Sequence, residues 1–280
     1  MSKNNSKNSK SILTFDNVSI GYNDIPILEK ININIEPGKV MAIMGSSGSG
    51  KTTLLRAATG QILAQKGIIS IFNKNISNIS LSELNQLRKK IGVLFQHGAL
   101  FTDLNVFDNV MFPLKECKYL TYKNMCDITF NKLEKVGLKH AAHLNISSLS
   151  GGMIKRVALA RAIILEPELI FYDEPFSGLD PISVGIIAKL IRSLSDELGC
   201  ASIMITHNVN ESLSIADNVH IIGHGNFIAS GTPKSLLNSS DPYVIQFLMG
   251  KDNGPIQFEY PKTYAFEKWL LDEGIIENYD

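Results

Sequence analysis

The stretch KVMAIMGSSGSGKTTLLRAATG, residues 39–60, decides the fold. KVMAIMG reads as an apolar strand and KTTLLRAATG as a helix. Between them Gly45-Ser-Ser-Gly-Ser-Gly-Lys51-Thr52 fits G-x-x-x-x-G-K-[ST], in the strand-loop-helix setting that this motif requires. Glycines let successive backbone N–H groups curl around a chain of phosphates. Lys51 then reaches the β- and γ-phosphates, and Thr52 offers its hydroxyl to Mg²⁺. Gly45, Ser46, Ser47, Gly48, Ser49, Gly50, Lys51, Thr52 and the adjoining Thr53 are therefore the candidate nucleotide-binding residues.

Upstream, ILTFDNVSI (12–20) and ILEKININI (27–35) read as strands, the second alternating Ile31, Ile33 and Ile35 with Asn32 and Asn34. They predict an N-terminal antiparallel sheet. Downstream, residues from about 97 to 165 are mostly helical in pattern, with Met125, Ile128, Leu133 and Val136 on one predicted helix face. Strand and helix then alternate through ELIFYDE, PISVGIIAKLIRSLSDELG, ASIMITH and NVNESLSIA. The expected fold class is α/β: a parallel-sheet core, an antiparallel β subdomain before it and an inserted helical subdomain at about 97–165. Two late helices have start signals, Thr232-Pro233 and Asp241-Pro242.

LIFYDE (169–174) is an apolar strand that ends in two carboxylates. Beside a phosphate loop the order suits two roles: Asp173 holds Mg²⁺, directly or through water, and Glu174 orients or deprotonates the attacking water. LSGG at 149–152 opens a helix, where bare backbone N–H groups form an anion site.

Composition narrows the class further. The 280 residues carry no net charge and are 44% apolar, which suits a sizeable core and gives no electrostatic reason to expect nucleic acid. Cys117, Cys126 and Cys200 are odd in number and widely spaced, so neither a disulfide framework nor a zinc site is indicated, and a reducing compartment fits. No further ligand joins His140 and His143 to complete a metal set. MSKNNSKNSK (1–10) is polar and lacks an apolar segment, so it reads as a disordered tail and not as a signal peptide. No run of 18 uncharged apolar residues is present, so any membrane-spanning helices must come from a partner.

Leu149-Ser-Gly-Gly-Met153, followed by Asp173-Glu174, resembles the signature of the ATP-binding cassette family, and the other family elements occur in order. Tyr22 resembles the aromatic residue that stacks on adenine. Gln96 is similar to the glutamine near Mg²⁺ and the attacking water. Ser177-Gly-Leu-Asp180 resembles the loop at the dimer interface, and His207 the histidine that bonds the γ-phosphate. The resemblance implies an ABC-type P-loop ATPase with a RecA-like core over residues 11–249. It also implies two chains paired head to tail, with ATP held between one phosphate loop and the partner's Ser150, Gly151 and Gly152. Met153 stands where the family usually has Gln, and Asn208 where it usually has Asp.

The stretch FQHGALFTDLNVFDNVMFPL (95–114), together with LSGGM and DEPFSGLDPI, resembles one subgroup: the ATPases of intermembrane phospholipid transport that serve Mce-domain lipid carriers. This implies a homodimer at the cytoplasmic face of the inner membrane. It would be joined to a polytopic permease, a periplasmic Mce-type lipid-binding protein and a small STAS-type cytoplasmic subunit. Phe101 and Phe107 would suit a groove for the permease. Residues 250–280, with Phe258, Tyr260 and Trp269, resemble that subgroup's tail, which docks on a neighbouring subunit. Other lipids or hydrophobic solutes are the alternative cargo.

Overall fold

The computed structural model describes residues 11–117, 120–256 and 264–274. The polar tail at 1–10 and the extension residues Phe258 and Tyr260 lie outside them. Contacts divide the chain into two units, Met1–Asn238 and Ser239–Asp280.

In the first unit β1 (Leu13–Tyr22) and β2 (Ile25–Ile35) form an antiparallel pair, with Leu13 opposite Ile35 and Phe15 opposite Ile33. Alternation does what its period dictates: Ile31, Ile33 and Ile35 are buried and Asn32 and Asn34 exposed. β4 (Lys66–Ile71) and β5 (Lys74–Asn75) extend this sheet in the order β2-β1-β4-β5. The sequence reading had not anticipated either strand. Their turn runs through Phe72 and Asn73 at φ 50° and 64°, a positive-φ hairpin without the Asn-Gly pair that would announce it.

The second sheet has six strands in the order β10-β9-β3-β8-β7-β6. Its members are β3 (Val40–Gly45), β6 (Ile91–Leu94), β7 (Leu169–Asp173), β8 (Ala201–Thr206), β9 (Asn218–Gly223) and β10 (Asn226–Gly231). Strands β6 to β9 and β3 run parallel, while β10 pairs antiparallel with β9 at one edge, so the sheet is mixed. The β9-β10 hairpin was also unanticipated, and its turn is His224-Gly225, at φ 50° and 76°. β3 and β8 are buried along their whole length, as expected for central parallel strands.

Helices α1 (Lys51–Ala58) and α2 (Leu81–Arg88) follow β3 and β5; α3 (Val106–Met111), α4 (Tyr122–Lys135) and α5 (Gly151–Ala162) pack on one another between β6 and β7. On α4 the inward face carries Leu133 as expected but also Thr129 and Lys132, the lysine reaching out to Glu166 at 2.9 Å. Asn109 of α3 is fully buried. Its amide donates to Phe101 O, Leu104 O and Asn105 O and accepts from Phe101 N at 2.8 Å, which fixes the loop after β6. α6 (Pro181–Leu198), α7 (Val209–Ile215) and α8 (Pro233–Leu237) complete the unit, α6 stopping at Gly199 with φ 63°.

The second unit begins with α9 (Pro242–Met249), capped by Asp241, which accepts from Tyr243 N and Val244 N at 2.8 and 3.3 Å. Gly250 ends it at φ 61°. The chain then turns back so that Gln246 and the Ile256 backbone bond reciprocally, at 2.7 and 2.9 Å. α10 (Tyr264–Asp272) exposes Phe266 and Trp269, whose rings stack at 5.8 Å.

One titratable group in the first unit sets a pH dependence. His220 of β9 stacks on Phe227 at 4.6 Å and bonds Ser230 Oγ at 2.7 Å, and burial lowers its pKa to about 4. Below an ordinary histidine pKa of about 6.5 the unfolded chain takes up a proton that the folded chain refuses until about pH 4. His220 therefore contributes stability above pH 6.5 that is lost as pH falls towards 4. His220→Asn should melt below the wild type at pH 7.5, and that gap should narrow at pH 5 in calorimetry; a constant gap would refute the assignment.

Candidate functional site

The parallel strands β3, β8, β7 and β6 all deliver their C-terminal ends to one sheet edge, where ligands of open α/β sheets bind. Register sets which residues meet there: Met44 lies opposite Thr206, Asp173 opposite Ile205, and Leu94 opposite Tyr172. Just beyond these positions come the phosphate loop, His207, Glu174 and, one residue further after Phe95, Gln96. A cavity of about 620 Å³ opens at this edge. It is lined by Ser47, Gly48, Gly50, Lys51, Thr52, Thr53, Gln96, Asp173, Glu174 and His207, with Ile27 and Ile205.

The loop depends on glycine at Gly50, which immediately precedes α1. Its φ is 99°, and a Cβ there would lie 2.9 Å from Leu28 Cγ. The ammonium of Lys51 donates to Gly45 O and Ser46 O, both at 2.8 Å, and is almost wholly buried. Burial pushes its pKa down, against the pull of the Glu174 and Asp173 charges. Asp173 is pushed the other way for the matching reason: burial, then the neighbouring Glu174 charge, raise it. Glu174 Oε2 lies 2.9 Å from His207 Nδ1. The Glu174 backbone is left-handed, φ 46°, and its N–H donates to Ile205 O at 2.8 Å, continuing the β7-β8 ladder by one residue.

The remaining candidates do not line the cavity. Tyr22 is part-exposed at the end of β1, and its hydroxyl accepts from Arg56 Nη1 at 3.0 Å. Gly45, Ser46 and Ser49 form the back of the loop; a Cβ on Gly45 would meet Ser49 Oγ at 2.6 Å. Ser150 caps α5, accepting from Met153 N at 3.3 Å. Gly151 is exposed, whereas Gly152 is buried against Ser183, whose Oγ a Cβ would approach to 2.6 Å. Ser183 Oγ in turn donates to Asp180 at 2.5 Å, and Asp180 caps α6. Ser183 thus brings the signature glycines and Asp180 together, apart from the cavity.

Three contributors escaped the sequence reading: Arg56, Ser183 and Lys155. Lys155 is 4% exposed on α5 and donates to the backbone carbonyls of Gln96 and Glu174 at 2.5 and 2.9 Å. The one signal that could have found it is a lysine just before the apolar run Val157-Ala158-Leu159-Ala160.

Oxygen donors from Thr52, Asp173 and Gln96 suit a hard cation. Among the described residues no group of three or more His, Cys, Asp or Glu could hold a metal ion alone.

A phosphate loop after β3, with paired carboxylates at the end of β7 on the far side of β8 in the same sheet, defines a P-loop ATPase. Residues 28–177 match the ABC transporter family, and the chain belongs to the ATP-hydrolysing, ATP-binding subunits of that family. It is 47% identical over 252 residues to the intermembrane phospholipid transport system ATP-binding protein MlaF of Haemophilus influenzae, covering 90% of this chain and 96% of that one. Among solved structures, cbiO1 from Clostridium perfringens, part of the ABC transporter complex cbiONQ, superposes with a TM-score of 0.77 at 31% identity, over 86% of this chain and 96% of that one. A dimeric ATP-binding cassette in a post-hydrolysis state with ADP and phosphate gives 0.71 at 28%, over 79% and 98%. No helix among the described residues is long and apolar enough to cross a membrane.

Proposed function

We propose that this chain is the ATPase of an intermembrane phospholipid transporter, acting at the cytoplasmic face of the inner membrane. The observation that carries this is the 47% identity to a phospholipid-system ATPase over nearly the full length of both chains. It works as a head-to-tail homodimer with a polytopic permease, a periplasmic Mce-type lipid-binding protein and a STAS-type cytoplasmic subunit. Its domain organisation is a polar tail at 1–10, an ATPase domain at 11–249 with the helical subdomain at about 97–165, and a docking extension at 250–280. The dimer reading is supported by the grouping of Ser150, Gly151 and Asp180 away from the cavity. Facing outward there, they are free to meet ATP held by a second copy, and the related dimeric cassette is consistent with this.

In this reading the loop N–H groups and Lys51 bind the β- and γ-phosphates, and Tyr22, held by Arg56, stacks on adenine. Thr52, Asp173 and Gln96 would hold Mg²⁺, which supplies charge neutralisation between the phosphates when bound. Glu174 orients the attacking water and takes its proton, and His207 keeps the carboxylate in place at 2.9 Å and bonds the γ-phosphate. Asp173, whose carboxylate is destabilised by burial, gains from any cation placed beside it.

The permease surface follows from the loop that Asn109 anchors. Phe101 and Phe112 are exposed with ring centres 4.7 Å apart, and Arg161 lies over Phe101 at 5.9 Å. Phe107 instead packs on Phe130 at 5.0 Å, so Phe101 and Phe112 are the better contacts.

The test is to purify the full-length chain from its native membrane with its partners and identify co-purifying lipid by mass spectrometry. Phospholipid in a complex with a multi-span subunit is expected; a different solute class would overturn the cargo. The same purification from a chain ending at Gly250 should recover less complex while ATP binding persists. Undiminished recovery would remove the docking role of the extension.

A further inference from the structure

Among the described residues Lys155 forms no ion pair with a carboxylate. Its ammonium is buried on α5 and is spent on neutral acceptors: Gln96 O at 2.5 Å, Glu174 O at 2.9 Å and Ser177 Oγ at 3.5 Å. Ser177 Oγ itself donates to Glu174 O at 3.0 Å, so the two groups clasp one carbonyl. An ammonium has three donors, and here each has a partner. Burial pushes its pKa down, while the charges of Asp173 and Glu174 pull it back up.

Both backbone acceptors belong to residues whose side chains line the cavity, and the two are 78 positions apart in sequence, at the ends of neighbouring strands β6 and β7. Glu174 is held from two sides, by Lys155 at its carbonyl and by Ile205 O at its N–H, in a backbone conformation that a glutamate seldom adopts unaided. The helix carrying Lys155 begins at Gly151, so its signature end and this clasp lie about 6 Å apart along one rigid rod. A shift of α5 is transmitted to the Glu174 carbonyl without an intervening loop.

We propose that Lys155 is a positioning residue for ATP hydrolysis, fixing the Gln96 and Glu174 backbones relative to each other and to the signature helix. Its bonds go to protein acceptors, and through them it sets the direction in which the Glu174 carboxylate leaves the backbone. This rests on Glu174 as the water-activating residue, so Glu174→Gln is assayed in parallel. An active Glu174→Gln would remove that assignment whatever Lys155 does.

The experiment measures ATP turnover by the full-length chain with Lys155→Met, which keeps the length but cannot donate, and Lys155→Gln, which keeps an N–H donor. A misplacement of about 1 Å costs on the order of 10²-fold. Lys155→Met should therefore lower kcat roughly 10- to 100-fold with KM for ATP within about twofold, and Lys155→Gln should fall between it and the wild type. Wild-type kcat in Lys155→Met, a loss confined to KM, or no advantage of Gln over Met would overturn the proposal. Should Lys155→Met fail to fold, Lys155→Gln decides alone: reduced kcat at unchanged KM supports the role and unchanged kcat refutes it.

Discussion

Glu174→Gln is expected to cut ATP turnover by about 10²- to 10⁴-fold while leaving ATP affinity within a few fold. The substitution keeps the size of the side chain and a hydrogen-bonding oxygen for His207, which now lies 2.9 Å from Oε2. What it deletes is the capacity to accept a proton from water. Binding should survive because the phosphate contacts come from another strand end, where Lys51 and the loop N–H groups sit on β3 and α1. In the dimer proposed above, unhydrolysed ATP should hold two chains together, so the variant should accumulate as a dimer with ATP in size-exclusion chromatography. Wild-type turnover would end the assignment of Glu174 as the water-activating residue.

Lys51→Ala should abolish the thermal stabilisation that nucleotide confers. At a hundredfold excess over Kd, binding adds about 2.7 kcal/mol to the wild type. For a chain of this size that is a rise of roughly 4–5 °C in Tm. Removing the ammonium takes away the positive charge that ATP meets in a cavity whose floor already carries Asp173 and Glu174. It also strips the donor from Gly45 O and Ser46 O, which loosens the loop before any ligand arrives. The variant should therefore melt at nearly the same temperature with and without Mg-ATP by differential scanning fluorimetry. A wild-type shift would mean that the loop backbone alone binds the phosphates.

Legibility in the sequence tracked how local each cause is. The phosphate loop is eight consecutive residues whose spacing carries its own geometry, and the alternation of Ile31, Ile33 and Ile35 needs nothing beyond a period of two. Asp173 and Glu174 were readable because their strand accompanies a phosphate loop; a strand ending in two carboxylates says little alone. The hairpins at Phe72-Asn73 and His224-Gly225 were not, because each turn has one residue suited to positive φ and lacks the Asn-Gly or Asp-Gly pair that marks a hairpin. Lys155 lay hidden for a different reason: its partners are 59 and 19 residues away, and only the packing of α5 against the ends of β6 and β7 brings them within reach. The bond from Arg56 to Tyr22 spans 34 residues in the same way. The core sheet is parallel as expected except at one edge, where β10 pairs antiparallel with β9.

The left-handed backbone of Glu174 has a consequence for stability. A residue with a Cβ pays on the order of 1 kcal/mol to sit at φ 46°, and glycine would occupy the same conformation freely. Folding alone gives no reason for a glutamate here, and the water-activating role proposed above supplies one. Glu174→Gly should therefore raise folding stability by up to about 1 kcal/mol while deleting the group proposed above to activate water.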